Sequence, residues 1–383
     1  LTAPPGPVAI LLGTRPEAIK LAPVILELRR RRVAHEVIAT GQHRDLVAGI
    51  LALFGIAADA DLGIMRPGQT LDYVLASALT SVGTYLASAA PAAVLVQGDT
   101  SSALGAALAA FHHRVPVGHV EAGLRSGDSS LPFPEEMNRR AISVVARWHF
   151  APTTGAADNL RREGVEDRVI VTGNTIVDAV RQVAELDVRL PDDIAELIAA
   201  GPYILATAHR RESWGAGISD VAAGLKRAID EVPSVGLVFA THPNPAARDP
   251  VVAALGTHPR VRVVDSLDYP VFVRLLRDCV VAVSDSGGVQ EEGPTLGVPV
   301  LVTRELTERP EGVRAGAVRI IGTDLDDVSR EVLQLLRDDG ARAAMSQAGQ
   351  SIYGDGTAAA RITDVLCRDL GLYGRSPSDG AGA

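Results

Sequence analysis

The sequence predicts an α/β protein built from two doubly wound parallel sheets. Three observations carry that expectation. Short apolar runs of strand length alternate with amphipathic stretches of helix length. The alternation occurs twice, once in each half of the chain. A length of 383 residues then accommodates two domains of ordinary size.

In the first half the expected strands are Val8 to Leu12, Glu36 to Thr40, Ala93 to Gln97, Val115 to Val120, Trp148 to Ala151 and Arg168 to Thr172, short apolar runs of strand length. In the second half they are Tyr203 to Ala208, Gly236 to Thr241, Arg262 to Val264, Cys279 to Ser284, Pro299 to Val302 and Val318 to Ile321. Helical patterns separate them. The stretch from Leu186 to Gly201 carries Pro191, three aspartates and no strand, which marks it as the domain junction. The final residues, 374–383, are small and polar and are expected to be disordered. No repeat of 20–50 residues is visible, so the halves share a pattern and not a sequence.

Charge and cysteine usage narrow the function. The net charge of -9 disfavours a nucleic-acid or anionic-membrane surface, so an anionic ligand needs a local cationic pocket. Cys279 and Cys367 alone cannot build a disulfide framework or a four-cysteine metal site, which points to a reducing cytoplasm. The longest apolar run, Leu46 to Ala58, is too short to span a bilayer, and the proline-rich start does not read as a signal peptide. Among 37 basic residues only Lys20 and Lys226 are lysine, which singles out Lys20 beside an expected strand end.

Doubly wound sheets bind ligands at the carboxyl ends of their strands, and two such domains create a cleft. Four groups of polar residues fall on those ends. Gly13-Thr14-Arg15-Pro16-Glu17-Ala18-Ile19-Lys20 follows the first strand, where a tight turn, open N–H groups and two cations suit an anion; a plain strand–helix turn is the alternative. Asp285-Ser286-Gly287-Gly288-Val289-Gln290-Glu291-Glu292 is a second such turn: the glycines permit close backbone approach, Ser286 can donate to a phosphate, and Glu292 can accept ribose hydroxyls. Neither matches a dinucleotide fingerprint or a P-loop, which leaves a diphosphate held between two domains.

The carboxylates form the third group and the histidines the fourth. Asp99 and Glu121 stand just past two strands, and Glu135 and Glu136 open a helix, with Arg139 one turn after Glu135. His209 ends the strand from Tyr203 and precedes Arg210, Arg211 and Glu212. Three carboxylates and an imidazole on strand ends suit proton transfer, although each alone also fits a cap or ion pair. His242 follows another strand as a further cleft residue, whereas His112 and His113 suit a helix C-terminus. Phe272 can lie against a base or pack in the core. No cluster has zinc spacing, so no metal is expected.

These residues resemble a known family. The two turns above, with Gln97-Gly98-Asp99-Thr100, Gly118-His119-Val120-Glu121-Ala122-Gly123-Leu124-Arg125, Pro134-Glu135-Glu136-Met137-Asn138-Arg139, His209-Arg210-Arg211-Glu212 and Thr307-Glu308-Arg309-Pro310-Glu311, are similar to motifs of the bacterial non-hydrolysing UDP-N-acetylglucosamine 2-epimerases, in family order. The resemblance implies a GT-B-like fold: two Rossmann-like domains, 1–185 and 186–356, facing an interdomain cleft, with a helix over 357–373 packing back on the first. It also implies a homodimer, no cofactor, and conversion of UDP-N-acetylglucosamine to UDP-N-acetylmannosamine for polysaccharide synthesis. Elimination of UDP to a 2-acetamidoglucal, followed by re-addition, accounts for inversion at a carbon with no adjacent carbonyl.

By the same resemblance Asp99, Glu121 and Glu135 are acid/base groups, and His209 lies near the diphosphate as a binding or proton-transfer group. Arg15, Arg139, Ser286, Gly287, Gly288 and Glu292 contact UDP or sugar, Lys20 acts structurally or electrostatically nearby, and Phe272 meets the uracil. Gln42, Gln69, Glu136 and Arg211 correspond to a second-substrate site. There the chain departs from the family pattern, with Asp45 and Gly68 where activated members carry Gln and Arg, so weak or absent cooperativity is expected. The rival readings are a hydrolysing relative that releases UDP, a GT-B glycosyltransferase that needs an acceptor and no C2 base, and a silent UDP-sugar sensor.

Overall fold

In this computed structural model the described residues are 6–41, 44–66, 68–208 and 215–372. The site candidates Gln42, His209 and Arg211 and the tail 374–383 lie outside them. The chain divides into two units: residues 1–179 with 354–383, and residues 180–353.

The first unit runs β1 (Val8–Leu12), α1 (Arg15–Arg30), β2 (His35–Ala39), α2 (Arg44–Leu53), β3 (Ala60–Asp61), α3 (Leu71–Ala89), β4 (Ala93–Gln97), α4 (Ser101–His112), β5 (Val117–Val120), α5 (Glu135–Val145), β6 (Trp148–Ala151), α6 (Thr154–Arg162), β7 (Val169–Val171) and α7 (Thr175–Ala184), which crosses into the next. Its seven strands lie in the order β3-β2-β1-β4-β5-β6-β7, all parallel. Because helices cover both faces, β1 and β4 are buried at every position, and the runs VAILL and AVLVQ are continuous rather than alternating. Trp148 and Phe150 of β6 are fully buried, and Trp148 Nε1 donates to Asp369 at 2.8 Å.

The second unit runs α8 (Asp192–Ala199), β8 (Tyr203–Ala208), α9 (Ala216–Glu231), β9 (Gly236–Thr241), α10 (Pro245–Leu255), β10 (Val261–Val264), α11 (Tyr269–Asp278), β11 (Val281–Ser284), α12 (Val289–Thr295), β12 (Val300–Val302), α13 (Pro310–Ala315), β13 (Val318–Ile320), α14 (Leu325–Arg337) and α15 (Asp339–Gly349). Its strand order, β10-β9-β8-β11-β12-β13, is the Rossmann order. One face packs α9, α10 and α14 through Leu225, Val251 and Val328; the other packs α8 and α11 through Ile194, Leu275 and Leu276. The chain is therefore a pair of Rossmann-like doubly wound domains of the GT-B-like class.

The last helix, α16 (Ala358–Leu370), belongs to the first unit and packs on α1. Asp178 accepts from the N–H groups of Ala358 and Ala359 at 3.3 and 3.0 Å, capping a helix 180 residues away. Ile362 and Leu366 carry its buried face. Among the described residues no helix is long and apolar enough to cross a membrane.

Candidate functional site

Each sheet has one place where the chain reverses the direction in which it adds strands: between β1 and β4 in the first, and between β8 and β11 in the second. Crevices at the carboxyl ends of such strand pairs are where this architecture binds ligands. The polar turns picked out in the sequence sit at both.

In the first unit the β1–α1 turn differs from the open anion site expected there. The Glu17 carboxylate accepts from Gly13 N–H at 2.6 Å and Thr14 N–H at 2.8 Å, and Thr100 Oγ1 donates to its other oxygen at 2.6 Å. An internal carboxylate thus accepts two N–H groups of this turn and ties the β1 turn to the β4 turn. Burial pushes the Glu17 carboxyl upward, while the hydroxyl and the two N–H groups act to hold it down. Arg15 remains half-buried on the first turn of α1.

Lys20, three residues after Glu17 on α1, pairs with a different carboxylate. Its Nζ lies 2.7 Å from Glu121 Oε2, with both side chains almost fully buried, and Gln97 Nε2 donates to the same oxygen. Glu121 adopts φ of 65°, a left-handed conformation that costs a non-glycine residue roughly 1–3 kcal/mol and tends to mark functional positions. Its ion pair and amide contact hold the residue in that conformation.

The β4–α4 turn is fixed at several points. Gly98, at φ of 72°, donates its N–H to Val120 O at 3.1 Å, and its carbonyl lies 2.7 Å from His119 Nε2, which must therefore carry the proton. Asn138 Nδ2 donates to the Asp99 carbonyl at 2.8 Å, and Arg139 Nε to the Asp99 carboxylate at 2.7 Å. Arg139 also reaches Glu136 at 2.8 Å; fully buried Glu136 further accepts from Arg140 and from Ser126 N–H. Half-buried Glu135 precedes this knot at the start of α5. Burial drives the His119 imidazole down to about 3, and likewise takes its cross-strand partner His149 to about 4, so both are neutral.

In the second unit, Ser286 N–H donates to Ser284 Oγ at 3.0 Å, and Ser284 Oγ lies 2.6 Å from Thr207 Oγ1, joining the ends of β11 and β8. Gly287 and Gly288 are half-buried. A Cβ on Gly287 would come within 2.7 Å of the Arg309 guanidinium, which itself binds Glu291 at 2.6 Å. Thr307 Oγ1 donates to Gln290 Oε1 at 2.5 Å, so the Thr307–Glu311 motif braces the α12 turn. Burial opposes charge on Glu308, yet Arg309 and Arg304 outweigh it and hold the carboxyl down to about 2. Tyr269 Oη donates to Glu292 Oε1 at 2.8 Å in a buried contact. Phe272, three residues after Tyr269 on α11, packs half-buried against the core. His242 Nδ1 accepts from Asn244 N–H at 3.1 Å within its own turn.

The first unit thus brings Asp99, Arg139 and Glu136 together, and separately Lys20 and Glu121. The second gathers Ser286, Gly287, Gly288 and Glu292. Gln69 stands apart, its Oε1 accepting from Arg66 N–H at 3.0 Å. Sequence reading did not single out Glu17, Gln97, Asn138, Tyr269, Glu291 or Arg309 as site residues. Thr14-x-x-Glu17 before an apolar run was a visible capping-box signal for the first.

The family model for UDP-N-acetylglucosamine 2-epimerase matches residues 26–367. A protein of Ralstonia nicotianae described as a probable UDP-N-acetylglucosamine 2-epimerase is 45% identical over 371 residues, covering 94% of this chain and 98% of the relative. A solved S. aureus protein in complex with UDP has a TM-score of 0.89 at 38% identity, covering 97% of this chain and 99% of its own. The UDP-GlcNAc 2-epimerase of Neisseria meningitidis, solved with UDP-GlcNAc bound, has a TM-score of 0.87 at 39% identity, with 94% and 99% covered.

Proposed function

The chain belongs to the UDP-N-acetylglucosamine 2-epimerase family, and from that premise we propose which residues carry its reaction. The protein is an isomerase: it interconverts UDP-N-acetylglucosamine and UDP-N-acetylmannosamine reversibly and without hydrolysis, a nucleotide-sugar step of polysaccharide biosynthesis.

Inversion at C2 requires that the C2 hydrogen leave and return on the opposite face. No carbonyl adjoins C2, so the reading is elimination: a base takes the C2 proton as the C1–O bond breaks, UDP departs with the bonding pair, and a 2-acetamidoglucal remains. UDP then adds back to C1 as a proton is delivered to C2 from the other side. Acid/base groups are needed on both faces of the ring, and the assigned groups are Asp99, Glu121 and Glu135, with His209 as a further binding or proton-transfer group. The observation that supports this most is the pairing of β4 with β5, in register at Gln97 and Val120, which sets Asp99 and Glu121 at the carboxyl ends of adjacent strands.

Arg139 lies 2.7 Å from Asp99 and Lys20 lies 2.7 Å from Glu121, so each of these two carboxylates has a cation beside it that fixes its position. The diphosphate is assigned to Ser286, Gly287 and Gly288 with Arg15, the ribose to Glu292 and the uracil to Phe272, with His242 as a further substrate contact. Gln42, Gln69, Glu136 and Arg211 are the residues of a second-substrate site carried over from the family. No metal is required if N–H dipoles and arginine stabilise the departing diphosphate.

A homodimer in the cytoplasm completes the reading. Phe111 and Val144, exposed on the packed helices α4 and α5, offer an apolar face for a second copy. Cys279 and Cys367 are free and buried, as suits a reducing compartment. Light scattering on the purified protein tests the dimer.

One proton NMR time course in deuterium oxide with UDP-N-acetylglucosamine tests the chemistry. The expected record is the C2 epimer, deuterium at C2 and no stoichiometric free UDP. Free UDP accumulating with N-acetylmannosamine would return the hydrolysing reading, and a C2 proton retained through turnover would overturn elimination.

A further inference from the structure

Glu292 is 5% exposed, and Tyr269, the first residue of α11, is 4% exposed. Tyr269 Oη donates to Glu292 Oε1 at 2.8 Å, a charge-assisted contact that fixes the plane of the carboxyl group. A carboxylate can accept both hydroxyls of a vicinal diol only in one plane, so whatever sets that plane sets the affinity for a ribose.

The helix that supplies the hydroxyl also carries Phe272. Tyr269 and Phe272 are three residues apart, which places them on the same face of α11, and Phe272 is half-buried against the core of the second unit. A nucleoside places its base and its sugar hydroxyls at fixed separation. One rigid helical turn would therefore register both: an aromatic ring for the base, and a phenol holding the carboxylate that reads the sugar.

We infer that Tyr269 is a positioning residue for ribose recognition, orienting Glu292 so that the enzyme selects a ribonucleotide over its 2′-deoxy counterpart. The inference rests on the assignment of Glu292 to the ribose. Tyr269 touches no reacting atom in this account; it acts through Glu292, and its effect belongs to binding rather than to proton transfer.

The test is calorimetric titration of the full-length enzyme with UDP and with 2′-deoxy-UDP, for the wild type, Tyr269→Phe and Glu292→Gln. Tyr269→Phe keeps the ring and removes only the donor. It is expected to weaken UDP binding about tenfold, the scale of one hydrogen bond to a charged group, and to leave 2′-deoxy-UDP nearly unchanged, so the preference between the two collapses. In turnover, KM for UDP-N-acetylglucosamine should rise while kcat holds. Equal weakening of both nucleotides, or no weakening, overturns the inference, since a merely structural phenol would not change the ratio. Glu292→Gln separates the two levels. If it leaves the ribose preference intact, the assignment of Glu292 fails; if it removes the preference and Tyr269→Phe does not, only the role of Tyr269 fails.

Discussion

Lys20 Nζ and Glu121 Oε2 form a buried ion pair at 2.7 Å, linking α1 to the end of β5. Removing one partner of such a pair strands the other charge away from water. Lys20→Met is therefore expected to destabilise the fold by about 3–5 kcal/mol, read from urea unfolding. Adding Glu121→Gln should restore much of that stability without restoring turnover. If the double variant is as unstable as the single, charge stranding is not the cause.

Asp99 is held by Arg139 at its carboxylate and by Asn138 at its carbonyl. Asp99→Asn preserves the shape and leaves Arg139 paired with Glu136, so the fold should melt near the wild-type temperature. Loss of an acid/base group of this kind lowers kcat by about 10²–10⁴-fold, with KM little changed. Steady-state rates near wild type would remove Asp99 from the chemistry.

His119 and His149 make the protein acid-sensitive. Both titrate near 6.5 in an unfolded chain, but burial places them at about 3 and about 4 in the folded one. Below pH 6.5 the unfolded state binds more protons, so stability is complete above that pH and falls as pH drops, by up to about 1.4 kcal/mol per unit for each histidine. Glu308, lowered from 4.5 to about 2, adds a further loss across that lower range. Denaturant midpoints measured from neutral pH to about pH 4 should show this slope, and His119→Gln should make it shallower.

The proposed second-substrate site carries a prediction of its own. Asp45 is exposed on the first turn of α2, Gly68 is exposed, and Gln69 is engaged with Arg66 in its own loop. With no Gln or Arg at positions 45 and 68 to hold a second UDP-sugar, the rate should follow a hyperbola in UDP-N-acetylglucosamine. A sigmoidal curve, or a reverse reaction that waits for added UDP-N-acetylglucosamine, would contradict this.

Much of this architecture was legible in the residues because burial on both faces turns strands into unbroken apolar runs, as in Val8–Leu12 and Tyr203–Ala208. The strand Ala60–Asp61 was not legible: two residues of low β propensity are held only by pairing with β2. The Leu186–Gly201 stretch reads as a polar junction, yet Ile194 and Leu197 of α8 are buried against the second sheet. At the candidate site, residue types on strand ends marked turns that lie at the switch points of the two sheets. What they could not reveal was which polar groups satisfy one another. Glu17 closing on the β1 turn follows from its spacing to Thr14, but Thr100 donating to Glu17 and Tyr269 holding Glu292 join groups far apart in sequence and are settled by packing.

The return of α16 to the first unit has a consequence for biosynthesis. Residues 180–353 are continuous, so the later-made unit can close as soon as its own strands leave the ribosome, whereas the earlier-made one lacks the helix that covers α1 and the partner of Trp148 until residues 358–370 have emerged as well. The half translated first is thus the half finished last, and a stalled or prematurely terminated chain would leave the apolar side of α1 uncovered for chaperones and proteases to find.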